Sequence, residues 1–149
     1  MFRYFFSIFI VVLLVAGCST TPASVNSGAN ESPAMEVQGE EILLEDGTYT
    51  NITVAELQTM LQQKDFQLIN VHIPDEGDLP DTDLSIPYNE IDQHLDQLPE
   101  DQNAKLVLYC RSDRMSTIAA EQLVDLGYTN VWNLKGGMVA WEQAGLPLK

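Results

Sequence analysis

Positive charge is scarce in this chain. Its 149 residues hold 7 lysines and arginines against 22 aspartates and glutamates, for a formal net charge of −15. A nucleic-acid-binding domain needs a clustered basic face to neutralise phosphates, and none can be assembled from so few cations. Histidine is rarer still. His72 and His94 are the only two, and neither lies at ligand spacing with a cysteine, so no metal site is expected. Two cysteines, Cys18 and Cys110, are too few for the disulfide framework of a small secreted scaffold. No glycine-rich nucleotide loop opens a helix, because Gly136-Gly137 reads better as a turn. No cofactor is therefore expected. No apolar run reaches the roughly 20 residues that a membrane-spanning helix needs.

What is present begins with an export pattern. Arg3 supplies a positive start, Phe5 to Val15 is an apolar run broken only by Ser7, and the small residues Ala16 and Gly17 follow. Residues 1–17 are expected to be a signal peptide. Val15-Ala16-Gly17-Cys18 resembles the bacterial lipobox. That resemblance implies cleavage before Cys18 and a diacylglycerol on its thiol, and hence a lipid anchor on the outer side of a bacterial membrane. Buried acyl chains contribute about 0.8 kcal/mol per CH₂ to such anchoring. From Ser19 to about Glu41 the composition turns to Ser, Thr, Pro, Asn, Gly and Glu, which cannot bury enough surface to offset the entropy of ordering. Residues 18–47 are expected to be the lipidated cysteine and a flexible linker, and 48–149 the globular domain.

Within the domain, Thr53-Val54-Ala55-Glu56 is a capping box. Val54, Leu57, Met60 and Leu61 mark the buried face of a helix ending near Gln63. Phe66 to Val71 reads as a buried strand. Residues 72–88, with five carboxylates among prolines and glycines, read as a long loop that is either solvated or a wall of the site. Ile91, Leu95 and Leu98 predict a short helix stopped by Pro99. Lys105 to Tyr109 is the central strand. Met115, Ile118, Ala119, Leu123 and Leu126 recur at helical spacing, closed by Gly127. Val131 to Leu134 is a further strand, and a last helix runs from Met138 to Ala144. Alternating strands and helices predict an α/β fold: a mostly parallel sheet with helices on both faces, ligands binding beyond the strands' carboxyl ends.

Cys110 sits at such an end. Beyond Arg3 the chain has only two arginines, Arg111 and Arg114, and both lie within four residues of this thiol. A cysteine between a strand and a helix N-terminus, beside fixed positive charge, is where a thiolate becomes stable and nucleophilic. Inward-pointing amides of the loop would form an anion nest, with Ser112, Asp113 and Ser116 placed to cap the helix donors.

Residues 48–149 resemble a single-domain rhodanese, the sulfurtransferase family. The resemblance rests on Cys110-Arg111-Ser112 opening the loop, on Leu126-Gly127-Tyr128-Thr129-Asn130-Val131, and on Leu134-Lys135-Gly136-Gly137-Met138-Val139-Ala140-Trp141. Leu68-Ile69-Asn70-Val71-His72 matches less well, with Asn70 and His72 where the family commonly has Asp and Arg, so His72 is left out of the chemistry. The resemblance implies a five-stranded parallel sheet. It also implies that Cys110 takes a sulfane sulfur from thiosulfate or a persulfide and passes it to a thiol or cyanide acceptor. The substrate-binding loop would be Arg111, Ser112, Asp113, Arg114, Met115 and Ser116. The family often has glycine where Asp113 stands and arginine where Met115 stands, so thiosulfate is expected to be a poor donor and a small persulfide or polysulfide a better one.

Two other readings compete. A phosphatase loop needs an arginine six positions after the cysteine to grip phosphate oxygens, and Ser116 stands there. A non-catalytic rhodanese-like module, binding a partner or sensing oxidants through Cys110, is the alternative from outside the enzymes.

Overall fold

A computed structural model describes residues 37–149. The leader, Cys18 and the linker up to residue 36 lie outside the described residues. Six strands, β1 (Glu40–Leu43), β2 (Thr48–Ile52), β3 (Gln67–Asn70), β4 (Leu84–Ser85), β5 (Leu106–Tyr109) and β6 (Val131–Leu134), alternate with helices α1 (Val54–Leu61), α2 (Arg114–Asp125) and α3 (Gly137–Gln143). They form one sheet in the order β1-β2-β6-β5-β3-β4. From β2 to β4 all neighbours run parallel, as the sequence led us to expect. β1 pairs antiparallel with β2, so the sheet is mixed and has a sixth strand. That strand falls in residues expected to be linker. Its pattern is almost entirely exposed, so it carries no apolar alternation to read. It forms through its backbone pairing with β2, across a turn closed by Leu44 N–H donating to Gly47 O at 2.9 Å.

β5 is the centre of the sheet, with all four residues buried. Leu106 and Leu108 join the core on the face carrying Ala119, Ala120 and Leu123 of α2. Val107 and Tyr109 face Leu57 of α1 with Met138 and Trp141 of α3. A strand covered on both faces must be apolar throughout, and each such Leu or Val contributes about 1.5–3 kcal/mol by leaving water. Helix α1 starts where its capping box placed it: Glu56 N–H donates to Thr53 Oγ1 at 3.3 Å, and Thr53 N–H donates back to Glu56 Oε2 at 2.8 Å. Those bonds from Thr53 hold the Glu56 carboxyl below its usual range.

The helix expected over Ile91–Leu98 is instead two 3₁₀ turns, Ile91–Gln93 and Leu95–Gln97. His94, at φ −122 and ψ 23, leaves helical backbone between them and divides the span into two short i→i+3 turns. Ile91 and Leu98 still reach the core, while Leu95 is exposed.

Residues 72–88 are more built than a solvated loop. They carry β4, and Leu79 and Ile86 are buried. Their anchor is Tyr109. Its Oη accepts from Leu79 N–H at 3.0 Å and lies 2.7 Å from Thr82 Oγ1 and 3.1 Å from Asp78 Oδ1. Asp78 Oδ1 also accepts from Asn70 Nδ2 at 2.9 Å. Burial pushes the Tyr109 phenol well above its ordinary 10.0. Tyr109→Phe strands the Leu79 donor and is expected to cost about 1–3 kcal/mol in urea unfolding near neutral pH. The folded state holds the phenol proton more tightly than the unfolded chain does. This contribution is therefore complete below pH 10 and falls above it, by up to about 1.4 kcal/mol per pH unit. Tyr49 and Tyr128 are shifted the same way by burial. The phenylalanine variant should accordingly show a shallower alkaline loss of stability rather than none, and an unchanged slope would remove Tyr109 as its source.

Candidate active site

Cys110 is the first residue past β5, where the chain leaves the sheet between α2 and α3. It is free and 2 % exposed. The main chain here is gripped from the side of α3: Met138 N–H donates to Cys110 O and Val139 N–H to Arg111 O, both at 2.9 Å. Gly137 makes that approach possible. It sits at φ +52, and a Cβ on it would stand 2.0 Å from Cys110 O.

On the other side, the thiol faces the start of α2. Asp113 N–H lies 3.1 Å from Cys110 Sγ, and Ser116 Oγ lies 3.4 Å from it. Ser116 Oγ is also 2.9 Å from Asp113 O, so its single proton is shared between sulfur and carbonyl. The amides of Arg111, Ser112, Arg114, Met115 and Ser116 donate to no acceptor among the described residues. A sulfur facing such donors at a helix N-terminus is stabilised when negatively charged.

The side chains expected to cap α2 are placed otherwise. Asp113 is the N-cap residue but makes no side-chain cap. Its carboxylate accepts instead from Asn133 Nδ2 at 2.8 Å. Ser112 is exposed, and Ser116 points back toward the sulfur from inside the first turn. Met115 packs against the core rather than standing at the rim.

The arginines divide. Arg114 is exposed and forms no ion pair among the described residues. Arg111 Nη1 lies 2.9 Å from Glu76 Oε2, in the 72–88 segment. The same carboxylate oxygen is 3.7 Å from Nε2 of His72, whose side chain is 8 % exposed. His72, set aside on sequence grounds, thus stands behind the ion pair that occupies Arg111. Neither of its ring nitrogens has a hydrogen-bond partner among the described residues. Sequence reasoning also passed over Asn133. The available signal was an amide at a position of β6 whose neighbours are apolar.

This arrangement can be compared with known proteins. The family described as Rhodanese-like domain matches residues 53–144. The chain belongs to the rhodanese family. An uncharacterized Synechocystis protein, slr1261, is 38% identical over 104 residues, which cover 67% of this chain and 57% of that protein. The chain thus matches little more than half the length of that relative. An Allochromatium vinosum protein named Sulfurtransferase is 35% identical over 94 residues, covering 61% of this chain and 85% of its own. Among solved structures, a rhodanese-like domain protein from Staphylococcus aureus superposes with a TM-score of 0.55 at 29% identity, covering 66% of this chain and 97% of that one.

Proposed function

We propose that this member of the rhodanese-like family is a sulfurtransferase that carries sulfane sulfur as a persulfide on Cys110. The observation that carries the reading is the Asp113 N–H 3.1 Å from Cys110 Sγ, in a loop whose other amides have no acceptor among the described residues. The sulfurtransferase name of a relative supports it. In the first half-reaction the thiolate attacks the outer sulfur of the donor. An S–S bond forms on Cys110, the donor's own bond to that sulfur breaks, and the electron pair leaves with the donor's thiolate or sulfite. In the second, an acceptor thiolate or cyanide attacks the same outer sulfur and Cys110 is released as the thiolate. This is double-displacement catalysis with no net redox change in the protein.

The charges around the loop bear on the donor. Arg111 is occupied by Glu76, Asp113 adds a carboxylate, and Met115 adds no charge. With Arg114 the one arginine of the loop left without an ion pair among the described residues, a dianion such as thiosulfate gains less from this rim than two free guanidiniums would give. The nearly complete burial of Cys110 favours a small, linear donor, and a low-molecular-weight persulfide or polysulfide fits both conditions. Glu76→Gln frees the guanidinium and is expected to raise kcat/KM for thiosulfate about threefold to fivefold, the scale of one partly exposed charge contact, with persulfide turnover changing less. Equal effects on both donors would remove Arg111 as the discriminating group.

Sulfur transfer itself is tested by intact mass of residues 19–149 after incubation with thiosulfate and, separately, with a small persulfide. A gain of one sulfur atom that is lost on adding cyanide supports transfer. No adduct with either donor overturns it. The leader pattern supports an extracytoplasmic, lipid-anchored location through Cys18. Cys18→Ser should then abolish incorporation of a labelled fatty acid into the full chain.

A further inference from the structure

We infer that Asn133, outside the active-site loop, is a positioning residue for Cys110 and acts through Asp113. Asn133 lies on β6 and is fully buried, in register with Asn51 of β2 and Leu108 of β5. Its Nδ2 donates to Asn51 Oδ1 and to Asp113 Oδ1, both at 2.8 Å. Both amide hydrogens are thereby used. Turned over, the amide would set its oxygen against two other oxygens, so its partners fix its orientation.

The bond to Asp113 holds an unfavourable backbone. Asp113 stands at φ +120, ψ −45, a region that a residue with a Cβ rarely visits and glycine visits freely. In that conformation its N–H lies 3.1 Å from the sulfur. Helix α2 is fixed by the packing of Ala119, Ala120 and Leu123. Relaxing φ at Asp113 therefore turns the Ser112–Asp113 peptide plane, which carries that N–H. Asn133 pins the side chain and so keeps the plane turned toward sulfur. It also gives the carboxylate an amide donor at 2.8 Å. The inference rests on Cys110 being the nucleophile.

The test is a cycle read by the alkylation of Cys110 with a small haloacetamide across pH. Asn133→Ala is expected to slow alkylation at neutral pH about fivefold and to move its pH profile upward, whereas in an Asp113→Gly background the same change should alter the rate less than about twofold. In Asp113→Asn, which keeps an acceptor oxygen and loses the charge, the full effect should return. Equal losses in the parent and the glycine background would overturn the inference, because Asn133 would then act through the sheet. No loss in the parent overturns it as well. Should Asn133→Ala fail to fold, Asp113→Ala is compared with Asp113→Gly. Alanine should shift the profile upward and glycine should not, and identical profiles overturn the inference. Alkylation reports the thiolate whether or not sulfur is transferred. A protein that behaves as expected here yet gains no sulfur would sink the proposed reaction and leave the positioning role standing.

Discussion

The Cys110→Ser protein is expected to fold as its parent does and to gain no sulfur from either thiosulfate or a persulfide. The change swaps one small atom at a site that is 2 % exposed and already supplied with two donors, Asp113 N–H and Ser116 Oγ. A serine hydroxyl there finds hydrogen bonds where a buried polar group needs them, so the stability cost should stay near 1 kcal/mol. The chemistry has no such tolerance. A hydroxyl is protonated at neutral pH and needs an adjacent base to become a nucleophile, and no hydrogen bond links a histidine or carboxylate side chain to this position among the described residues. Loss of the adduct with an unfolding midpoint lowered by no more than that cost is the decisive pairing. The same variant separates the enzyme from a binding module, since a module that only holds a partner would keep that partner.

Gly137→Ala should have the largest effect on stability of any single methyl added to this fold. The new Cβ would stand 2.0 Å from Cys110 O and 2.9 Å from the carbonyl carbons of Cys110 and Arg111. All three are backbone atoms, so no side chain can turn aside to make room. The start of α3 would have to leave β5, breaking the bonds from Met138 N–H and Val139 N–H. Overpacking, left-handed strain at φ +52 and two lost hydrogen bonds together point to about 3–5 kcal/mol, a large part of a typical 5–15 kcal/mol stability. Gly145 is the control. It too has a positive φ, +79, but nothing lies within 4 Å of where its Cβ would be. Gly145→Ala should cost only about 1 kcal/mol, the backbone part alone. Thermal melts of the pair check this, and equal midpoints would mean that α3 does not press on the active-site loop.

What the chain states locally, the sequence alone determined. The capping box at Thr53, the apolar run of β5, the helical spacing from Met115 to Leu126 and the thiol between strand and helix are all patterns of neighbouring residues, written at a period of about 2 or 3.6. They were enough for the parallel α/β sheet and the candidate nucleophile, while the family resemblance rested on the motifs at 110–112, 126–131 and 134–141. The tertiary structure decided what depends on distant partners. β1 exists because β2 offers an edge, with almost no apolar signal of its own. Ile91 to Leu98 became two 3₁₀ turns because the backbone leaves helical geometry at His94. Arg111, read from its neighbours as a charge beside the thiol, is occupied by Glu76 from the segment between β3 and β4. Asp113, read as a helix cap, is held instead by Asn133 from β6. In each case, which oxygen meets which nitrogen follows from strand register and from the packing of α2 and α3 against β5, and neither leaves a periodic trace along the chain.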